Sequence, residues 1–294
     1  MKNLLKVLTV VSMLSTVTYA EGLSLDRMKV SFNQDEEGNT SPDIYMPYYW
    51  NDSFFSALAY KSLFITTSEF SDDINTLETS SQKVFTLTVV QYESTEEHSG
   101  YSVGWVVENS NVQNNGLLSA PSAGASLNLL TDIEAISTGI TGDVSALKLG
   151  NFFSLRTGGS LYPYSQLKVK HNLNEHSVES DASQDMTYKA FLLTYFESSF
   201  NIDLSLGANY TYESYNYTIN QIDTITLKPA GTTEELDTSY KTLQLEAKLL
   251  FSGIEKNGLY PMVGYAYRTI DSNYGADSDK SEEDIFLFGL EKPF

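Results

Sequence analysis

The chain of 294 residues contains no cysteine and few basic residues. Without cysteine it can form no disulfide, no thiolate metal site and no cysteine nucleophile. Its 18 basic residues are outnumbered by 38 acidic ones, which gives a formal net charge of −20. A protein this acidic is not expected to follow the phosphate backbone of a nucleic acid. We therefore predict no nucleic-acid partner and no thiol chemistry.

The chain also lacks long apolar runs after its first twenty residues. No later stretch approaches the roughly 20 apolar residues that a membrane helix needs. Aromatic residues, in contrast, are plentiful, with 20 tyrosines and 15 phenylalanines. Because aromatic side chains collect at both interfaces of a membrane, this composition favours a protein that crosses a membrane with β-strands.

The first twenty residues have the pattern of a secretory signal peptide. They begin with the basic residues Lys2 and Lys6 and continue as a mostly apolar stretch, which is too short to span a bilayer. Thr18-Tyr19-Ala20 then offers a cleavage site of the small-x-small type. We predict a signal peptide at 1–20 and a mature domain at 21–294.

Alternation of apolar and polar residues is the main structural signal in the chain. From Phe200 to Tyr212 every second residue is apolar, and the residues between them are polar or glycine. The segment Lys241 to Phe251 repeats the pattern and has Glu246 and Lys248 on its polar face. Such alternation over about 9 to 11 residues is typical of a tilted transmembrane strand. Since a charged side chain in hydrocarbon is costly, we expect the polar face to point inward.

Further segments with this alternation bring the expected number of strands to about twelve, with about ten or fourteen as alternatives. These segments are Leu23 to Phe32, Ile44 to Tyr49, Phe54 to Ile65, Val84 to Tyr92, Tyr101 to Glu108, Ala146 to Arg156, Leu161 to His171, Tyr188 to Phe196, Leu259 to Ile270 and Asp284 to Phe294. The connections between them alternate between short and long, as in outer-membrane barrels. We therefore predict an all-β fold, a closed antiparallel transmembrane β-barrel with short periplasmic turns and long external loops.

The predicted connections differ widely in length. Thr157 to Ser160 is a short turn, whereas Asn172 to Asp185 and Thr218 to Ser239 are long external loops. The longest segment, Asn109 to Ser145, is rich in Ser, Gly and Asn. It is either an external loop, which could fold inward as a constriction or plug, or a segment that contains two more strands.

The last segment, Asp284 to Phe294, resembles the terminal strand of bacterial outer-membrane β-barrel proteins. That strand is the signal read by their assembly machinery, and its pattern is a final aromatic residue preceded by apolar residues at alternating positions, here Phe286, Phe288, Leu290 and Phe294. The resemblance implies a protein of the cell outer membrane of a Gram-negative bacterium. It also implies contact with outer-membrane lipids, lipopolysaccharide and the barrel-assembly machinery. It indicates no particular family within this class.

Charged residues of both signs fall on the predicted inner face. Opposed charges can create a transverse field that selects solutes in a water-filled passage, or they can pair across a narrow barrel and close it. We predict a porin-like channel for small solutes. Its expected lining residues are Arg156, Lys168, Lys170, Lys189, Asp203, Glu213, Glu246, Lys248 and Arg268.

A non-conducting surface protein or adhesin-type barrel is the alternative function. Such a barrel would act through its external loops, and the predicted connections contain several acidic clusters. Because hard oxygen ligands suit Mg²⁺ and Ca²⁺, these clusters are candidates for divalent-cation binding next to lipopolysaccharide, although no spacing matches a dedicated calcium loop. The clusters are Asp35-Glu36-Glu37, Asp72-Asp73, Glu234-Glu235 and Asp277 to Asp284.

A lipid-modifying enzyme of the outer membrane is the third possibility. Enzymes of this kind place a histidine with a serine or acidic residue near the outer rim, and His176-Ser177 is the candidate pair here. His98 falls on a predicted periplasmic turn, and His171 and His176 flank a predicted external loop. We interpret all three as solvated histidines and predict no enzymatic activity, no cofactor and no dedicated metal site.

Overall fold

The computed structural model describes twelve stretches of the chain. They are 28–35, 38–51, 53–70, 75–94, 100–120, 125–149, 152–173, 176–184, 186–222, 229–254, 259–274 and 277–291. The predicted signal peptide at 1–20 and the terminal Phe294 lie outside the described residues. Within these stretches the regular structure is β-strand, apart from one turn of 3-10 helix at Ser252–Ile254. No helix in them is long and apolar enough to cross a membrane.

Twelve antiparallel strands close into a barrel, which confirms the predicted fold. Their bounds are β1 Lys29–Gln34, β2 Thr40–Asn51, β3 Phe54–Phe70, β4 Asn75–Ser94, β5 Gly100–Ala120, β6 Ala125–Leu149, β7 Phe153–Leu173, β8 His176–Gln184 and Thr187–Phe196, β9 Asp203–Ile222, β10 Pro229–Leu250, β11 Tyr260–Tyr274 and β12 Asp277–Glu291. The two parts of β8 form one strand with an interruption, because each pairs with β7 on one side and with β9 on the other.

The barrel closes between its first and last strands. β1 pairs with β12 from Lys29↔Glu291 to Gln34↔Phe286, and it pairs with β2 on its other side. Phe32 stacks on Phe288 across this closing seam, with ring centroids 5.6 Å apart. A closed ring of strands has no open edge of unpaired backbone groups, which is the condition that β-structure must meet in a membrane.

The connections between the strands lie at the two ends of the barrel. We call the end that contains Lys29 and Glu291 the terminal end, where the connections are 52–53, 95–99, 150–152, 197–202 and 251–259. We call the opposite end the hairpin end, where the connections are 35–39, 71–74, 121–124, 174–175, 223–228 and 275–276. Because the strands differ in length, the wall is low at β1 and β2 and high at β5 and β6.

The outer surface follows the predicted alternation. On β9, Asp203 and Ser205 are 1% exposed inside the barrel, whereas Leu204 and Leu206 on the outside are 36% and 41% exposed. The strand begins at Asp203, so the predicted strand from Phe200 starts three residues too early, and its first residues belong to a turn. Leu243, Leu245 and Leu249 are exposed in the same way on β10. The outward positions therefore form an apolar band.

Aromatic side chains flank this apolar band at both ends. On the side of the band towards the hairpin end, Tyr60 packs on Phe85, and Tyr188 packs on both Tyr210 and Tyr212. The exposed aromatic residues nearest the terminal end are Trp50, Phe54, Tyr101, Phe152 and Phe200. Two aromatic girdles around an apolar band are the surface of a transmembrane β-barrel.

The structure differs from the prediction in its connections. Asn109 to Ser145 forms one long hairpin of β5 and β6, which are paired from Gly100↔Ser145 to Ala120↔Ala125. Most of Thr218 to Ser239 likewise belongs to β9 and β10. The polar composition of these segments thus marks strands that continue beyond the apolar band. The predicted turn at Thr157 to Ser160 is wrong, since these residues lie inside β7, which begins at Phe153.

A β-bulge in β7 reverses the alternation of that strand. The pairing of β6 with β7 passes from Ile140↔Leu161 to Thr138↔Tyr164, so β7 has one residue more than β6 over this step. Gly139 lies between the two paired residues of β6, and a Cβ there would be 2.0 Å from the carbonyl oxygen of Leu161. Only glycine therefore fits opposite the bulge. Side chains along a strand alternate between the two faces of the sheet with a period of two. After one extra residue, each following side chain of β7 therefore points to the face opposite to the one that uninterrupted alternation predicts.

Candidate functional site

A cavity of about 410 Å³ lies in the lumen of the barrel. Its neutral lining includes Tyr45, Phe55, Thr88 and Asn209. Its charged lining residues come from strands on opposite sides of the barrel and are Lys29, Asp43, Lys61, Asp143, Arg156, Glu246, Lys248 and Glu291. Charged residues at membrane depth must face partners or water, so this cavity is the candidate site for a polar solute.

Lys248 organises one side of the cavity. Its ammonium lies 2.8 Å from a carboxylate oxygen of Glu291 and 3.2 Å from one of Glu246, and its side chain is 2% exposed. The side chain reaches Glu291 by crossing β11 at Gly264, where a Cβ would lie 2.8 Å from the Lys248 Cγ. Two buried carboxylates thus share one ammonium, and removing that ammonium would leave both without the cation that binds them directly.

Arg156 and Asp143 form a second ion pair in the cavity wall. The Arg156 guanidinium donates to both carboxylate oxygens of Asp143, at 3.2 and 2.7 Å. Ser102 donates a further hydrogen bond to Asp143 at 2.8 Å, and the Arg156 Cζ lies 5.5 Å from the centre of the Phe191 ring. A two-point contact of this kind fixes the guanidinium more firmly than a single hydrogen bond does.

A third ion pair crosses the lumen on the hairpin side of the cavity. The Lys189 ammonium of β8 lies 2.6 Å from both carboxylate oxygens of Glu108 on β5. Tyr162 of β7 donates its hydroxyl to Glu108 at 3.2 Å, and the Lys189 nitrogen lies 5.4 Å from the centre of the Tyr162 ring. This contact connects β5 to β8 past the two strands between them, β6 and β7, and so narrows the lumen. We call the Glu108–Lys189 ion pair the chord.

Apolar side chains occupy the lumen towards the terminal end. On β10 to β12 a buried cluster consists of Leu250, Met262, Ala266, Ile285 and Leu287, with Tyr195 and Tyr260 packed against it. On β2 to β4, the rings of Tyr49, Phe55 and Tyr92 contact one another, with centroids 5.3 to 5.7 Å apart. The charged cavity is therefore bordered by two apolar surfaces on this side.

Seven of the nine predicted lining residues lie on the inner face of the barrel. Arg156, Glu246 and Lys248 line the cavity itself. Arg268 donates to Glu283 and to Gln244 beside it, and Lys189 forms the crossing ion pair. The remaining two are Asp203, which accepts hydrogen bonds from Tyr195 and the Ser198 amide at the terminal end, and Glu213, which acts electrostatically on Lys189. That these residues line a conducting pore stays a prediction.

Lys168 and Lys170 lie on the outer face of the barrel, against the prediction. The bulge in β7 turns them outward, whereas their neighbours Leu167 and Val169 are buried inside the barrel. Lys168 borders a shallow depression on the outer surface together with Glu134. Arg156 and Lys168 are an even number of residues apart, so strict alternation would place both side chains on the same face of the sheet. One extra residue between them invalidates that inference.

Several lumenal charges were missing from the prediction. Glu108 ends a segment in which Tyr101, Val103, Trp105 and Val107 alternate with Ser102, Gly104 and Val106. That alternation was sufficient to place Glu108 inside the barrel. The other missed residues are Lys29 and Lys61, which lie inside predicted strands, and Asp43 and Asp143, which lie in segments taken as connections.

The predicted histidine and acidic sites lie elsewhere. His98 is outside the described residues, while His171 belongs to β7 and His176 is the first residue of β8. Glu234-Glu235 and Asp277 to Asp284 were expected in connections, but they lie in strands β10 and β12. In the described part of the chain no three histidine or acidic side chains are grouped in a way that would hold a metal ion.

No protein-family model matches the chain, and no curated protein sequence is similar to it. The chemistry of the lumen is therefore the basis for the functional argument.

Proposed function

We propose that the protein is an outer-membrane channel that passes small solutes through its lumen. The observation that supports this most directly is the cavity of about 410 Å³, which has four cationic and four anionic side chains in its lining. A barrel with no passage can fill its interior with side chains. Charged groups that face an unfilled space inside a membrane protein are instead typical of a solute or ion pathway.

The outer-membrane location is part of the same proposal. The apolar band, the two aromatic girdles and the outward apolar residues of β12 support it, since Phe286 is 55% exposed and Phe288 packs at the closing seam. The partners that this location implies are outer-membrane lipids, lipopolysaccharide and the barrel-assembly machinery. The proposal includes no enzymatic activity.

The dimensions of the lumen limit the solutes to small molecules. A space of about 410 Å³ is in the range of sites that hold a small ligand. The Glu108–Lys189 chord lies on one side of this space and the apolar clusters on the other. Opposed charges across a narrow lumen produce a transverse field, which orients a polar solute as it passes.

Conductance of the refolded mature chain in planar lipid bilayers tests the channel. We expect stepwise single-channel currents from the wild-type protein. Replacing both partners of the chord, Glu108→Gln with Lys189→Gln, should raise the conductance because it removes the ion pair that draws the two walls together. Lys168→Gln on the outer face is the matched control and should leave the conductance unchanged.

A tight electrical seal without current steps would overturn the channel. That result would favour a surface protein, and one feature of the barrel supports this second candidate. The β5–β6 hairpin remains paired as far as Ala120↔Ala125, beyond the hairpin ends of the shorter strands β1 and β2. Such an extended wall offers a binding surface for an external partner.

A further inference from the structure

Lys61 differs from the other cations that line the cavity. Lys29, Arg156 and Lys248 each lie 2.7 to 2.8 Å from a carboxylate oxygen. The Lys61 side chain, in contrast, has no hydrogen bond and no ion pair with any residue in the described part of the chain. It is therefore a lumenal cation whose charge is available to a solute.

The surroundings of Lys61 explain why it has no partner. Asp43 lies directly opposite Lys61 in the pairing of β2 with β3, but its carboxylate is bound by Lys29 at 2.8 Å. The charged groups that act most strongly on Lys61 are Arg268, Asp43, Lys29 and Lys189. Three of these four are cations, so the local electrostatic field favours an anion beside Lys61.

Each carboxylate of the cavity is bound by a cation other than Lys61. Asp43 is held by Lys29 and Asp143 by Arg156, while Glu246 and Glu291 share Lys248. The net charge of −20 belongs to the chain as a whole, whereas the cavity lining has equal numbers of both signs. Charges beyond about 8 Å are screened at physiological ionic strength, so distant acidic residues have little effect on a solute at Lys61.

We propose that Lys61 is the anchor of an oxyanion site in the lumen, which binds the carboxylate or phosphate group of a small solute. The ammonium offers three hydrogen-bond donors, and a charge-assisted hydrogen bond to an oxyanion is among the stronger polar contacts. This inference deepens the proposed channel function by naming its solute class, and its physiological role depends on that function. The enclosed position of the cavity selects a free solute over a lipid headgroup.

Isothermal titration calorimetry of the refolded mature barrel in detergent micelles tests the site. Succinate and inorganic phosphate are titrated separately at pH 7 and physiological ionic strength. We expect wild-type protein to bind at least one of them and Lys61→Gln to weaken that binding by about tenfold or more, the factor that the loss of one charge-assisted contact produces. Lys168→Gln, the matched loss of a lysine on the outer face, should bind like wild type.

Two further measurements separate the site from folding and from conduction. Lys61→Arg keeps the positive charge and should retain binding, and circular dichroism should show the same β-structure in all variants. Absence of binding by the wild-type protein, or equal binding by Lys61→Gln, overturns the oxyanion site. A barrel that conducts but binds neither anion overturns this inference and leaves the channel, whereas one that binds without conducting keeps the site and overturns the channel.

Discussion

At the residue scale, the interior of the barrel depends on charges that are buried in pairs. Lys248 is nearly inaccessible and compensates Glu246 and Glu291 at once. Burying such a group costs several kcal/mol unless its partners are well placed. The ion pairs therefore add little net stability to the barrel. The loss of one partner, in contrast, would destabilise it strongly.

We expect Lys248→Met to destabilise the barrel by about 3–5 kcal/mol, because two buried carboxylates lose their counter-charge. The free energy of unfolding can be measured by urea titration in detergent micelles. Adding Glu246→Gln and Glu291→Gln to the same chain should restore most of the loss. Lys280→Gln is the control, since Lys280 pairs with Glu282 at the surface, where both side chains are more than half exposed. A Lys248→Met barrel as stable as the control would contradict this account.

At the scale of the element, one extra residue in β7 changes which face of the barrel its later side chains occupy. Before the bulge Tyr162 faces the lumen, and after it Leu167 and Val169 do. Regular alternation would have buried Lys168 and Lys170 in their place. The bulge thus keeps two ammonium groups out of the interior.

Cysteine labelling can test the direction of β7 after the bulge. The chain has no cysteine of its own, so each single substitution introduces one thiol. In the folded barrel, Lys168→Cys should react with a bulky poly(ethylene glycol) maleimide, because it lies on the polar outer surface. Leu167→Cys should stay unreactive until the protein is unfolded. The reverse order of reactivity would show that β7 has no bulge and that the predicted alternation is correct.

The predictability of the elements depended on how regular they are. β9 and β10 were recognised because their alternation is unbroken and their polar faces contain charge. The boundary of β6 and β7 was misplaced because Gly158-Gly159 has the composition of a turn. In the barrel these glycines are needed for close packing, since a Cβ on Gly158 would lie 2.4 Å from the carbonyl oxygen of Gly142.

The candidate site was less predictable than the fold. Alternation indicates which charges point inward, and it succeeded for Glu246, Lys248 and Arg268. Alternation does not indicate which charged side chains contact each other. Within the described residues Lys61 forms no ion pair, and the carboxylate of Asp43 opposite it is bound by Lys29 of β1.

At the scale of the whole molecule, the same alternation gives the barrel two unlike surfaces. The outside is an apolar band between aromatic girdles, and the inside is a lumen of paired charges around a cavity. Both depend on closure between β1 and β12, where the six residues of β1 pair with the end of the chain. An open sheet would expose its edge to lipid and would have no lumen.

Electrophoretic mobility after folding into lipid vesicles tests most directly whether residues 21–294 form a closed β-barrel in a membrane. A closed barrel remains compact in dodecyl sulfate until it is heated, because its backbone hydrogen bonds are satisfied all the way round. We therefore expect the vesicle-bound, unboiled protein to migrate faster than the boiled protein. Recovery of the chain in the soluble fraction, with identical migration before and after boiling, would contradict the account.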